Sequence, residues 1–184
     1  MKPLNWKSRI TNYRLMLICA SVIILLDQTT KWLVVKNIPF GTYLNPVPVP
    51  PFEGFLSLVH IGNKGAAWGM FQGFGNVLAV FAVITIAGIF LFRKMLGLHL
   101  KSMQIAFGLL IGGIIGNLYD RIAVGHVIDF IDVDLQFYRW PAFNVADSAI
   151  CVGVFAYIFL SFRMESDKTK KEKKLNPSEV SQEN

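Results

Sequence analysis

Residues Ser102–Arg121 read SMQIAFGLLIGGIIGNLYDR, a run of 18 residues without a charge closed by Asp120 and Arg121. A bilayer core takes about 20 mostly apolar residues per helix, so this run is one crossing; a soluble fold would leave it stranded in water. Gly108, Gly112 and Gly116 recur every four residues along it. Such a stripe of small residues lets a neighbouring helix approach backbone to backbone.

Three further stretches flank it. The first begins at Leu15; its charge-free part, Leu15 to Leu26, is too short alone, so the span carries Asp27 and reaches Lys31–Val35. The second lies within Gly65–Phe92, which holds no charge, with Asn76–Phe92 as the spanning part. The last starts near Asp147 and runs to Phe162. The composition agrees: of 184 residues, 53% are hydrophobic and 16% charged, against about 25% charged in an average soluble domain. The expected fold is an all-α membrane protein, a four-transmembrane-helix bundle with helices at about 13–36, 74–93, 101–121 and 145–163, in a single domain over 1–163. Outer β and loop regions fall at about 37–73 and 122–144, and residues 164–184 read as a disordered, basic cytoplasmic tail.

Charge gives the orientation, because Lys and Arg near helix ends mark the cytoplasmic side. Lys2, Lys7, Arg9 and Arg14 precede the first span; Arg93, Lys94 and Lys101 separate the second and third; Arg163 and a lysine-rich tail follow the fourth. Thirteen of the 18 Lys and Arg thus fall on one side. The other side holds Lys31, Lys36, Lys64, Arg121 and Arg139 with seven acids, Asp27, Glu53, Asp120, Asp129, Asp132, Asp134 and Asp147. Both termini are expected inside. The net charge of +6 is topology rather than a basic stripe for nucleic acid. The first span reads as an uncleaved helix: the apolar run before Cys19 is only Leu15–Ile18, and the segment continues into a full span.

Pro46, Pro48, Pro50 and Pro51 forbid a helix in the first outer loop, Phe55–Ile61 reads as a short strand, and Val127–Tyr138 has strand-like composition ended by Trp140–Pro141. Cys19 and Cys151 read as small core residues, and His60, His99 and His126 are too scattered for a zinc site.

Ionisable residues within spans are costly and are functional candidates by default. Asp27 and Lys31 stand four apart on one helical face, spaced for an ion pair. In Asn63–Gly69, Gly65 and Gly69 permit close backbone approach, Ala66 and Ala67 leave room for a ligand, and Trp68 suits the interfacial belt; an ordinary loop entering the second helix is the plainer reading. Helix packing explains the glycine stripe but not Asn117, Asp120 and Arg121 at its outer end; Asn117 and Arg121 share a face and Asp120 is rotated off it. Finally, Asp129 lies between Ile128 and Phe130, an apolar wall that would raise its pKa, and Asp147 opens the last helix after Phe143 and Asn144. If the fold brings the two carboxyls together, repulsion makes them share one proton, the aspartic-protease arrangement. Taken alone, each is more often a cap or a surface charge, and spacing does not show whether they meet.

These motifs, in this order across roughly residues 20–150, closely resemble the lipoprotein signal peptidase (signal peptidase II) family of membrane aspartyl proteases. The resemblance rests on the Asp27–Lys31 block, the Asn63–Gly69 block, the glycine run ending Asn117–Arg121, Val127–Phe130 and Phe143–Ser148, none of which departs from the pattern. It implies four spans with both termini inside and the site near the outer face of the bacterial cytoplasmic (inner) membrane. A small extracytoplasmic β-cradle and a short surface helix would come from residues 40–62 and Met70–Gly75. It implies that Asp129 and Asp147 are catalytic and that Asp120 supports the site. Asn63, Gly65, Asn117, Arg121 and Asn144 would line it, with Asp27 and Lys31 nearby. The implied reaction removes the signal peptide from diacylglyceryl-modified prolipoproteins just before the lipidated cysteine, without metal or other cofactor. Sensitivity to globomycin is implied with it. The expected partners are those substrates and membrane lipid, with no nucleic acid, and the expected state is a monomer. Asp132 and Asp134 lie outside the motifs.

Rival readings predict different behaviour. A small transporter would place polar groups at mid-membrane and show an inverted repeat; here they cluster at the outer ends. A metal-dependent membrane phosphotransferase would need divalent ions. A bare scaffold would tolerate neutral residues at Asp129 and Asp147.

Overall fold

A computed structural model describes residues 13–44, 55–65 and 70–175. Among the described residues there are four helices: α1, Arg14–Asn37; α2, Gly75–Leu91; α3, Lys101–Ala123; and α4, Val145–Leu175. α1, α3 and the Val145–Asp167 part of α4 are long and apolar enough to cross a bilayer, and α2 is an apolar helix of 17 residues. Their outer surfaces are apolar, with Leu25 68%, Phe155 71% and Leu91 72% exposed. Apolar area on that scale suits lipid rather than water. The chain is a membrane protein.

α3 is the hub, packing on α1 along one face and on α4 along another. Its glycines set the distances. A Cβ on Gly108 would lie 2.6 Å from Cys19 Cβ, and one on Gly112 would lie 2.8 Å from Ala20 O. On the other face a Cβ on Gly113 would collide with the backbone oxygen of Ala146. The pairings run upward together for α1 and α3 and in opposite senses for α3 and α4. The C-terminal ends of α1 and α3 and the N-terminus of α4 therefore meet at one end of the bundle. Met16, Leu98, Met103 and Phe107 fill the opposite end.

A four-stranded antiparallel sheet sits at the polar end, in the order β1 (Tyr43–Leu44), β2 (Leu56–Asn63), β3 (Val127–Asp134), β4 (Arg139–Phe143). Ile61 pairs with Asp129 and Asn63 with Val127. Val34, Ile38 and Phe130 form the small core joining α1 to the sheet.

Four expectations change. Met70–Gly73 is a turn rather than a surface helix, because Phe71 and Gly73 take positive φ (56° and 85°), and α2 starts only at Gly75. Trp140 and Pro141 lie within β4 instead of ending the sheet: β4 is an edge strand, where proline's missing N–H costs no ladder bond, and the register shifts between Ile131 and Val133 beside it. α4 continues to Leu175, past residue 163. Once a helix is nucleated, Glu- and Lys-rich sequence extends it readily. Cys151 is exposed on α4, because the face it occupies is turned away from α3. Lys2, Lys7, Arg9, the Pro46–Pro51 segment, Glu53, Ala66–Gly69 and residues 176–184 lie outside the described residues.

Candidate active site

The start of α4 builds half of the site. Asp147 N–H donates to Asn144 Oδ1 at 2.9 Å, and Asn144 N–H donates to Asp147 Oδ2 at 3.2 Å. This reciprocal capping box satisfies two of the first-turn donors. It leaves Asp147 Oδ1 to accept from Asn117 Nδ2 at 2.7 Å. The Asn144 amide then turns towards β3, where its Nδ2 donates to Asp129 Oδ1 at 2.8 Å. Asn63, at the end of β2, donates to Asp129 Oδ2 at 2.9 Å. Each carboxyl is thus held by an asparagine from a different element, and Asn144 touches both.

Arg121 fastens the loop beyond β2 to α3, donating to Asn117 O at 3.3 Å and to Gly65 O at 3.2 Å. Gly65 N–H in turn donates to Asn63 Oδ1 at 2.9 Å. A side chain at Gly65 would meet Met70 O at 2.5 Å, so glycine is required for this loop to close. Asn63, Gly65, Asn117, Arg121, Asp129 and Asp147 all border one cleft of about 770 Å³. Trp140, Phe143, Ile150 and Val152 give the same cleft an apolar wall.

Asp129, only 2% exposed, has its pKa pushed up to about 7. Burial is the main cause and the charge of Asp147 the second; together they outweigh the Asn63 and Asn144 donors and the attraction of Lys31. Arg121 faces it from α3.

Behind the cleft wall lies a second, closed network. Lys31 Nζ stands 2.8 Å from Asp27 Oδ2, 2.7 Å from Asp120 Oδ2 and 3.0 Å from Asn117 Oδ1. The expected Asp27–Lys31 pair is present, and Asp120, rotated off the Asn117–Arg121 face, meets the same ammonium. Sequence reasoning missed Gln28, whose Nε2 lies 3.0 Å from both Asp27 Oδ2 and Asp120 Oδ1. Its one signal was its place beside Asp27, inside the polar Asp27–Lys31 block of the span. Every site residue named from the sequence falls within these two linked networks. Asp132 and Asp134 do not: Asp132 accepts a bidentate pair from Arg139 at 2.7–3.1 Å, and Asp134 Oδ1 accepts from Gln136 N–H at 2.8 Å in the turn after β3. Among the described residues, no three His, Cys, Asp or Glu side chains converge as metal ligands.

A family model described as signal peptidase (SPase) II matches residues 19–163. The lipoprotein signal peptidase of Halalkalibacterium halodurans is 41% identical over 156 residues, covering 85% of this chain and 96% of the relative. That of Bacillus pumilus is 39% identical over 153 residues (83% and 95%), and that of Nitratidesulfovibrio vulgaris 41% over 160 (84% and 93%). A bacterial membrane enzyme solved by the in meso method superposes with a TM-score of 0.74 at 30% identity, covering 83% of this chain and 90% of that one.

Proposed function

The chain belongs to the signal peptidase II family, and on that footing we propose that it removes signal peptides from prolipoproteins by aspartyl chemistry, with Asp129 and Asp147 as the pair. The observation that carries this reading is that the two carboxyls border one cleft, each held by asparagines, with Asn144 joined to both. The pair holds one proton, and burial beside Asp147 favours it on Asp129. The ionised partner takes a proton from a water between them, and the water oxygen attacks the scissile carbonyl. The protonated carboxyl donates to the carbonyl oxygen as it becomes tetrahedral. Collapse breaks the C–N bond, the leaving amine takes the proton first removed from water, and one hydroxyl of the tetrahedral carbon returns its proton to the carboxyl that donated it as the new C=O forms.

Asn63, Gly65, Asn117, Arg121 and Asn144 hold these groups and the loop around the substrate. Asp27, Lys31 and Asp120 support them from behind. The cut falls just before the diacylglyceryl-cysteine, with the apolar wall of the cleft taking the lipid. Four crossings, with α2 as the short one, put both termini in the cytoplasm and the sheet, as a cradle, on the outer face of the cytoplasmic membrane. The chain works as a monomer and is inhibited by globomycin.

The direct test compares one prolipoprotein with and without its diacylglyceryl group. The lipidated form is expected to be cleaved at least about 10²-fold faster, since remote binding energy is used at the reacting bond; equal rates would remove the lipid-recognition claim. The pH profile is a second test. Above about pH 7 Asp129 ionises, the pair loses its one acid, and cleavage falls. At low pH both carboxyls are protonated and the base is lost. Activity is therefore bell-shaped, with its alkaline limb near 7, well above the ordinary carboxyl range. Undiminished cleavage at pH 9 would contradict the shared proton.

A further inference from the structure

The closed network behind the cleft is attached to the two candidate catalytic residues by matching backbone bonds. Asp27 Oδ1 accepts from Ala146 N–H at 2.9 Å, and Ala146 immediately precedes Asp147. Asp120 Oδ2 accepts from Ile128 N–H at 3.2 Å, and Ile128 immediately precedes Asp129. The two anchors are tied to each other by α1. Lys31 Nζ bridges their carboxylates at 2.8 and 2.7 Å, and Gln28 Nε2 bridges them again at 3.0 Å on each side. Asp27, Lys31 and Asp120 are at most 1% exposed, so none of the three reaches substrate.

We infer that Gln28 and Lys31 form a yoke that couples Asp27 to Asp120 and, through the N–H groups preceding Asp147 and Asp129, sets the separation of those two carboxyls; Gln28 is thereby a positioning residue. The inference rests on the proposed roles of Asp129 and Asp147. Its chemical logic is charge balance. Two buried carboxylates would repel one another; one ammonium leaves a surplus negative charge, and the Gln28 amide and two peptide N–H groups solvate it. Gln28 and Lys31 stand three residues apart on one face of α1. A rigid helix therefore sets the span between strand β3 and helix α4, which approach the site from different directions.

The test uses the full chain in lipid with Asp120→Ala, Asp120→Asn and Gln28→Met. Asp120→Ala is expected to lower kcat about 10²-fold, the cost of a misplacement near 1 Å, with KM changed less than about twofold because the cleft is untouched. Its alkaline limb is expected to move to lower pH, because a more distant Asp147 raises Asp129 less. Asp120→Asn keeps an acceptor for Ile128 N–H and is expected to recover about tenfold of the lost kcat. Gln28→Met preserves length and packing, so it folds even where Asp120→Ala does not, and it is expected to cost about tenfold in kcat with a limb shift in the same direction. Carboxyl NMR of Asp129 reads the same displacement without turnover. Gln28→Met with wild-type kcat and an unmoved Asp129 titration overturns the yoke, as do losses that only track the amount of folded protein. A wild-type chain that leaves lipidated prolipoprotein intact overturns the peptidase reading instead, and the NMR titration then still decides the yoke.

Discussion

Asp129→Asn and Asp147→Asn are each expected to lower cleavage of a diacylated prolipoprotein by about 10⁴-fold, the upper end of what a positioned acid–base group contributes. Either change removes one carboxyl but disables both roles of the pair. With a single ionisable group left, the pair no longer holds an acid and a base at the same pH, so water activation and carbonyl protonation fail together. Structure is less affected, since the side chain keeps its shape. The new amide does turn a donor towards a donor: both oxygens of Asp129 accept, from Asn144 at 2.8 Å and Asn63 at 2.9 Å, and both oxygens of Asp147 accept, from Asn117 at 2.7 Å and the Asn144 N–H at 3.2 Å. That mismatch costs about 1–3 kcal/mol locally, so folded protein must be quantified alongside turnover. Asp147→Asn carries a second signature. It removes one of the two causes that raise Asp129, so Asp129 is expected to titrate lower, and carboxyl NMR checks this. Asp134→Asn is the control, because its carboxylate caps only the turn after β3 and cleavage should be unchanged. Turnover within tenfold of wild type in either dyad variant would refute the assignment.

What the sequence made legible, and what it hid, follows from the range of each interaction. The helices were readable because hydrophobicity is local. The glycine stripe was readable because small-residue spacing depends on one helix alone. The Asp27–Lys31 pair was readable because it lies within one turn. Asp120 as the second carboxylate on Lys31 was not, since a 2.7 Å contact between α1 and α3 has no trace in local spacing. The meeting of Asp129 and Asp147 was equally hidden: they lie 18 residues apart, and it takes the β3–β4 hairpin with its register shift to return the chain to the same cleft. Resemblance, rather than periodicity, brought them together in advance. Trp140–Pro141 misled for the converse reason. Proline excludes a central strand, but whether a strand is central or at an edge is a property of the sheet. Gln28 went unremarked because one amide within the polar Asp27–Lys31 block signals little until two carboxylates are found on either side of it.

The contact between α3 and α4 should matter to activity as well as to stability, and one methyl group is enough to test it. A Cβ at Gly113 would collide with Ala146 O and lie 2.8 Å from Ile150 Cγ1. The first obstacle is backbone in the opening turn of α4 and cannot rotate away. Ala146 is also the residue whose N–H is held by Asp27 at 2.9 Å and whose neighbour is Asp147. Displacement of that turn therefore stretches the Asp27 bond and moves the Asp147 carboxyl out of register with Asp129. Gly113→Ala is expected to destabilise the protein by about 1–3 kcal/mol, as overpacking in a tight core does. It is also expected to lower kcat by about 10²-fold through misplacement of the reacting group. Gly88→Ala separates this effect from the general consequence of replacing a helical glycine. Gly88 is in α2 with nothing within 4 Å of its would-be Cβ, so alanine there meets no obstacle and gains up to about 1 kcal/mol of helix propensity. The two variants should shift thermal unfolding in detergent in opposite directions while only Gly113→Ala loses turnover. If Gly113→Ala unfolds and cleaves like wild type, the close seating of α4 on α3 does not govern the site.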